Sequence, residues 1–108
     1  MVEHLSKINQ LVDEYNDIAI PTAMSLSNIL KQMTSQLFYL GKYRADYKLK
    51  YNGIIFNSTK GKSMSVAAAT IKAEQEVPEL YMLRYVMKGA YGVIDALRTN
   101  ISTLNKEK

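Results

Sequence analysis

The last third of the chain carries the pattern that most restricts its fold. From Leu80 the apolar positions run Leu80, Leu83, Met87, Ala90, Ile94, Leu97, Ile101 and Leu104. Their spacing alternates three and four residues without a break over more than three heptads, which a strand cannot satisfy and a long helix presents as one narrow seam. Pro78 stands just before it, where a missing N–H is harmless, and Glu79 follows in the first turn, where a carboxylate opposes the positive end of the helix dipole. The spacing predicts a helix from Pro78 with a frayed tail from Asn105. Gly89 and Gly92 flank its middle, and a close backbone neighbour is expected there. Two readings of the seam stand open: the inner stripe of a single-chain bundle, or a zipper between copies. Because the helix is long for so small a chain, the second is favoured, with Leu83, Met87, Ala90, Ile94, Leu97, Ile101 and Leu104 as oligomerisation residues.

The same period recurs upstream. Leu5, Ile8, Val12, Tyr15 and Ala19 predict a first amphipathic helix that Pro21 interrupts, since proline removes a donor and disfavours helix at Ile20. A second helix is expected with Pro21 in its first turn and Leu26, Leu30, Met33, Leu37 and Leu40 on one side. Continuous to Tyr51, it would span about 46 Å. Asn52-Gly53 and the stretch Asn57 to Ser63 hold the strongest turn signals. Ile54 to Phe56 between them reads equally as a helical end or a short strand. A third, alanine-rich helix is expected over about residues 65–76. The fold class is therefore all-α: an N-terminal helix, a long basic second helix, a short third helix and a long C-terminal helix, in one domain of 108 residues.

Charge is distributed unevenly along this framework. Residues 39–62 hold six of the fourteen Lys and Arg and one of the ten Asp and Glu, so the segment carries +5 and the rest of the chain about −1. Lys42, Arg44, Lys48 and Lys50 interleave with Tyr39, Tyr43, Tyr47 and Tyr51, Lys60 and Lys62 follow in a glycine-containing loop, and Asp46 is the lone acid. On a helix the tyrosines drift by about 40° per step. Tyr47 and Tyr51 continue the apolar stripe and are expected in the core; Tyr39 and Tyr43 lie toward its margin. The basic side chains surround the helix, so only some can face one ligand. Cations beside flat rings suit single-stranded nucleic acid, whose phosphates attract the charge and whose bases stack on the rings. The candidate contacts are Lys42, Arg44, Lys48, Lys50, Lys60, Lys62 and Tyr43.

Other chemistries find no support in these residues. Gly61-Lys62-Ser63 resembles the end of a phosphate-binding loop, but Phe56 stands where the loop's first glycine belongs. His4 is the only histidine, expected on a frayed terminus, and there is no cysteine, so no metal set, nucleophilic triad or disulfide framework is expected. Asp13, Glu14 and Asp17 read as a solvated face. We expect no enzyme activity and no cofactor. No apolar run reaches the roughly 20 residues of a membrane span, and MVEHLSKINQ lacks the apolar stretch of a leader, so a cytoplasmic protein is expected.

Two short motifs resemble a known family. Lys42-x-Arg44-x-Asp46-Tyr47 is similar in order and spacing to the basic DNA-binding motif of UvsY, the recombination mediator of tailed phages. Gly92-Val93-Ile94-Asp95-Ala96-Leu97-Arg98-Thr99 is similar to a run in that family's final helix, and Ser63-Met64 with the small-residue helix occupies the matching place between them. The segment 52–63 is shorter and more basic than in the family, and Leu83 stands at the family's tryptophan. The resemblance implies a helical, ring-forming homo-oligomer without ATPase activity, acting in the bacterial host cell. It would bind single-stranded DNA, loosen the single-strand-binding protein there and help a RecA-like recombinase assemble. Lys42 and Arg44 would then contact phosphates, Asp46 would orient Arg44 or cap the charge, and the final helix would carry oligomerisation. The competing reading is a small helical adaptor whose basic stripe meets an acidic protein partner, with no nucleic acid involved. A secreted helical hairpin is disfavoured by the absence of a tryptophan-x-glycine turn.

Overall fold

A computed structural model describes residues 1–106, the Lys62 side chain excepted. The chain is all-α: α1 spans Val2–Asp17, α2 Ala23–Thr59, α3 Val66–Glu76 and α4 Pro78–Lys106, with a single 3-10 turn at Lys60–Lys62 after α2. Among the described residues there is no strand. Among the described residues no helix is long and apolar enough to cross a membrane.

The helix ends follow local chemistry. α1 stops at Asp17, short of Ala19, where Ile18 turns extended. Pro21 lies ahead of α2 rather than inside its first turn, because Thr22 takes the capping position. The Ser25 N–H donates to Thr22 Oγ1 at 3.0 Å and the Thr22 N–H donates to Ser25 Oγ at 3.1 Å. This is the reciprocal capping arrangement, with serine in the place of the usual glutamate. Ser65 caps α3 by accepting from the Ala68 N–H at 3.1 Å. Buried Val77 is the one-residue joint before Pro78, and its N–H closes the last turn of α3 on the Ala73 carbonyl at 2.9 Å.

The turn expected at Asn52-Gly53 does not form. α2 runs through it to Thr59, a helix of 37 residues and about 55 Å. Ile54 to Phe56 are helical. An Asn-Gly pair makes a tight turn when two strands flank it; here residues of helical period flank it, and one glycine costs a helix only about 1 kcal/mol. The chain reverses at Gly61 instead, whose φ of 71° lies in the left-handed region that suits a glycine after a helix end.

The residues form two compact units, the first Met1–Leu40 with Val86–Lys108 and the second Gly41–Tyr85. In the first unit the core consists of Ile8 and Leu11 from α1, Leu26, Ile29, Met33, Leu37 and Leu40 from α2, and Met87, Ala90, Ile94 and Leu97 from α4. Leu11 joins Ile8 where Val12 was expected, and Ile29 is buried while Leu30 is half-exposed. Asn100 Nδ2 donates to the Tyr15 hydroxyl at 2.7 Å, tying α4 to α1. In the second unit Ala69, Ala73, Val77, Leu80 and Leu83 are buried, with Ser58 the buried polar residue of α2.

Most of the seam on α4 is therefore interior. Leu83, Met87, Ala90, Ile94 and Leu97 are buried within this one chain and offer no surface to a second copy; Ile101 and Leu104 remain half-exposed. A 3-4 pattern specifies a partner stripe without saying whose. Gly89 and Gly92 meet no close backbone either, since a Cβ at either would have nothing within 4 Å. Both face solvent.

Candidate nucleic-acid interface

The two units divide the charge unequally. The second contains eight Lys and Arg against four Asp and Glu, the first six against six, so the second holds the whole formal +4 of the protein. Within it, Lys42, Tyr43, Arg44, Ala45 and Asp46 are all exposed. A helical turn is about 3.6 residues, so five consecutive exposed residues mean that α2 buries no stripe over more than one full turn, with Tyr43 at 36% exposure. A helix normally buries one stripe, as α2 does from Leu26 to Leu40 and again, partly, from Tyr47 onward. The motif Lys42-x-Arg44-x-Asp46 occupies the exposed turn between.

Helical geometry sets which of these side chains act together. Lys42, Asp46 and Lys50 follow at intervals of four and share a face; Arg44 and Lys48 form a second pair, about 200° from Lys42 and Asp46 respectively. Asp46 is thus placed to moderate Lys42 and Lys50. The expected orienting contact from Asp46 to Arg44 is not available, because residues two apart on a helix point away from each other. A strand gripping both Lys42 and Arg44 has to pass across or around the turn rather than along one row.

The remaining candidates separate into distinct positions. Lys50 and Lys60 are exposed. Lys48 is half-buried, its ammonium 5.4 Å from the centre of the Tyr51 ring, a cation–π contact that anchors the charge against α2 itself. The side chain of Lys62 lies outside the described residues. Tyr47 and Tyr51 are half-buried rather than core, each keeping an apolar body inward and a polar tip at the edge. Tyr39, expected toward the margin of the apolar stripe, is stacked on His4 with centroids 4.7 Å apart and planes 12° from parallel, and Phe38 and Tyr39 meet edge to face. His4 is accordingly not on a frayed end: it is half-buried, and its Nδ1 lies 2.6 Å from Gln36 Oε1.

Sequence reading missed the other exposed rings of the second unit. Phe56 is 68% exposed, Tyr81 76% and Tyr85 73%. Phe56 was hidden by the open choice between helix and strand over 54–56. Tyr81 and Tyr85 sit four apart on the face of α4 away from the seam, and that offset was the available signal. Among the described residues no group of three His, Asp or Glu gathers as metal ligands.

Compared with protein-family models, with curated proteins and with solved structures, the chain matches none.

Proposed function

We propose that this protein binds single-stranded DNA as a recombination mediator, helping a RecA-like recombinase assemble on DNA coated by a single-strand-binding protein. The observation that carries the reading is the exposed basic turn of α2. It presents Lys42, Tyr43 and Arg44 to solvent in the unit that holds the protein's entire net charge. Phosphates are attracted to the cations with release of their counterions, and an exposed ring adds sequence-tolerant stacking. A flexible single strand can follow contacts that lie on opposite sides of a helix, which a stiff duplex groove cannot. The recombination role rests on the resemblance of the two motifs to UvsY. One such patch is weak, so the reading includes assembly of several copies along one strand, which raises effective concentration without new contacts.

The test is fluorescence anisotropy with a labelled single strand across a salt series. Four exposed cations (Lys42, Arg44, Lys50, Lys60) at roughly 0.7 each give a slope of log affinity against log salt of about −3, and Lys42→Ala/Arg44→Ala reduces its magnitude by about 1.4. Both replaced side chains are exposed, and an unchanged melting curve verifies that the fold is kept.

A second reading has one observation in its favour. Leu49 and Phe56, 73% and 68% exposed, give the outer face of α2 an apolar character that DNA does not need and a protein partner does. Absence of single-strand binding at low salt makes the adaptor with an acidic protein partner the better account.

A further inference from the structure

Within the second unit a recess of about 250 Å³ is lined by Tyr51 of α2, Glu74 of α3, the joint residue Val77, and Leu80, Tyr81 and Arg84 of α4. Its chemistry is unlike that of the exposed basic turn. Two aromatic residues from different helices line it beside the apolar Val77 and Leu80, and the exposed Arg84 lines it as well. The Lys48 ammonium, 5.4 Å from the Tyr51 ring centre, brings a second cation to the Tyr51 wall. The volume is below the roughly 300–1,000 Å³ of pockets for drug-sized ligands and suits one flat heterocycle.

We propose that this recess receives a single unstacked nucleobase of the bound strand, with the adjoining phosphate on Arg84. This deepens the DNA-binding reading above and rests on it. Aromatic walls reward a flat ring of any base, whereas an aliphatic side chain or a phosphate gains little from them. Glu74 opposes a phosphate in the recess itself, which leaves the anion to the Arg84 side and offers an acceptor to an exocyclic amino group. The Lys42–Arg44 turn then supplies backbone attraction, and the recess holds one base at a defined point on the same unit.

The experiment uses the full chain and a single-stranded oligonucleotide carrying 2-aminopurine, whose fluorescence is quenched on stacking, with anisotropy followed in parallel. The wild-type protein is expected to change the 2-aminopurine signal on binding. Tyr81→Leu is expected to abolish that change and weaken binding about 5- to 150-fold, the range of a lost base–aromatic stack, with the salt slope kept. Counting Arg84 with Lys42, Arg44, Lys50 and Lys60 makes the wild-type slope about −3.5, and Arg84→Gln is expected to reduce its magnitude by about 0.7. Tyr85→Leu is the internal control: this ring is as exposed as Tyr81 but does not line the recess, and its loss should leave both signals unchanged. Equal effects of Tyr81→Leu and Tyr85→Leu, or no 2-aminopurine response by a wild-type protein that does bind the strand, overturn the recess and leave the DNA-binding reading standing. No binding by the wild type at low salt overturns both. Because Tyr81 is 76% exposed, its replacement leaves the core intact, and an unchanged melting curve verifies that.

Discussion

Replacing Gly53 by alanine distinguishes a continuous α2 from a turn by the sign of its effect. In the structure Gly53 sits inside the 37-residue helix, half-buried, and a Cβ built there meets nothing within 4 Å. Glycine in a helix interior is about 0.8–1.0 kcal/mol less favourable than alanine, chiefly through backbone entropy. With no steric penalty to offset it, Gly53→Ala should stabilise the protein by roughly 0.5–1 kcal/mol. Unfolding entropy of about 2.1 cal/mol/K per residue converts that gain, over a chain of this size, to a Tm rise of about 2–4 °C. Had Asn52-Gly53 formed a tight hairpin-type turn, Gly53 would hold a positive φ, and alanine there would cost about 1–2 kcal/mol. The Tm would then fall by about 4–9 °C. Gly61→Ala supplies the opposite arm in the same protein, since φ at Gly61 is 71° and the substitution should destabilise although space is open. Circular dichroism melts at 222 nm, with urea titrations to verify an unchanged m-value, read both variants. A fall in Tm for Gly53→Ala refutes the continuous helix and the placement of every α2 residue after Tyr51.

Two further substitutions test the interior and the joints. Leu97, fully buried in the first unit, should lose about 2–5 kcal/mol on Leu97→Ala in a urea titration; a loss under about 1 kcal/mol would mean that the seam is not packed as described. Ser65→Ala removes the cap of α3 and should cost about 1 kcal/mol, read most directly as faster hydrogen exchange at the Ala68 amide, and unchanged protection there would refute the cap.

The elements were legible where one local rule acted alone. Pro78 marked the start of α4, and the steps from Leu80 to Leu97 marked its buried stripe, because a helix repeats at a fixed angle whatever surrounds it. The errors fell where two signals competed. Asn52-Gly53 signals a turn, yet the helical period on both sides outweighs one glycine. Ile29 and Leu30 are adjacent and both apolar; packing decided which faced inward. The position of His4 near the terminus points to a frayed end, although stacking on Tyr39 and a bond to Gln36 secure it. The site divided in the same way. Exposure of Lys42, Tyr43 and Arg44 agrees with their polar character, and the pairing of Lys48 with Tyr51 is a local contact three residues apart on one helix, whereas the meeting of Tyr51, Tyr81 and Arg84 requires residues far apart in sequence.

The covalent sequence by itself determined the helical class, the proline-bounded start of α4, the apolar stripe along it and the concentration of positive charge between residues 39 and 62. These depend on period and composition, which are properties of neighbours along the chain. Tertiary structure alone decided that the α4 seam from Leu83 to Leu97 is covered by this chain's own helices, and that Lys42 to Asp46 of α2 stay exposed around a whole turn. Periodicity says which face of a helix seeks burial. Only the placement of the other helices says which stretch of that face receives it, and the residues of the basic turn remain exposed.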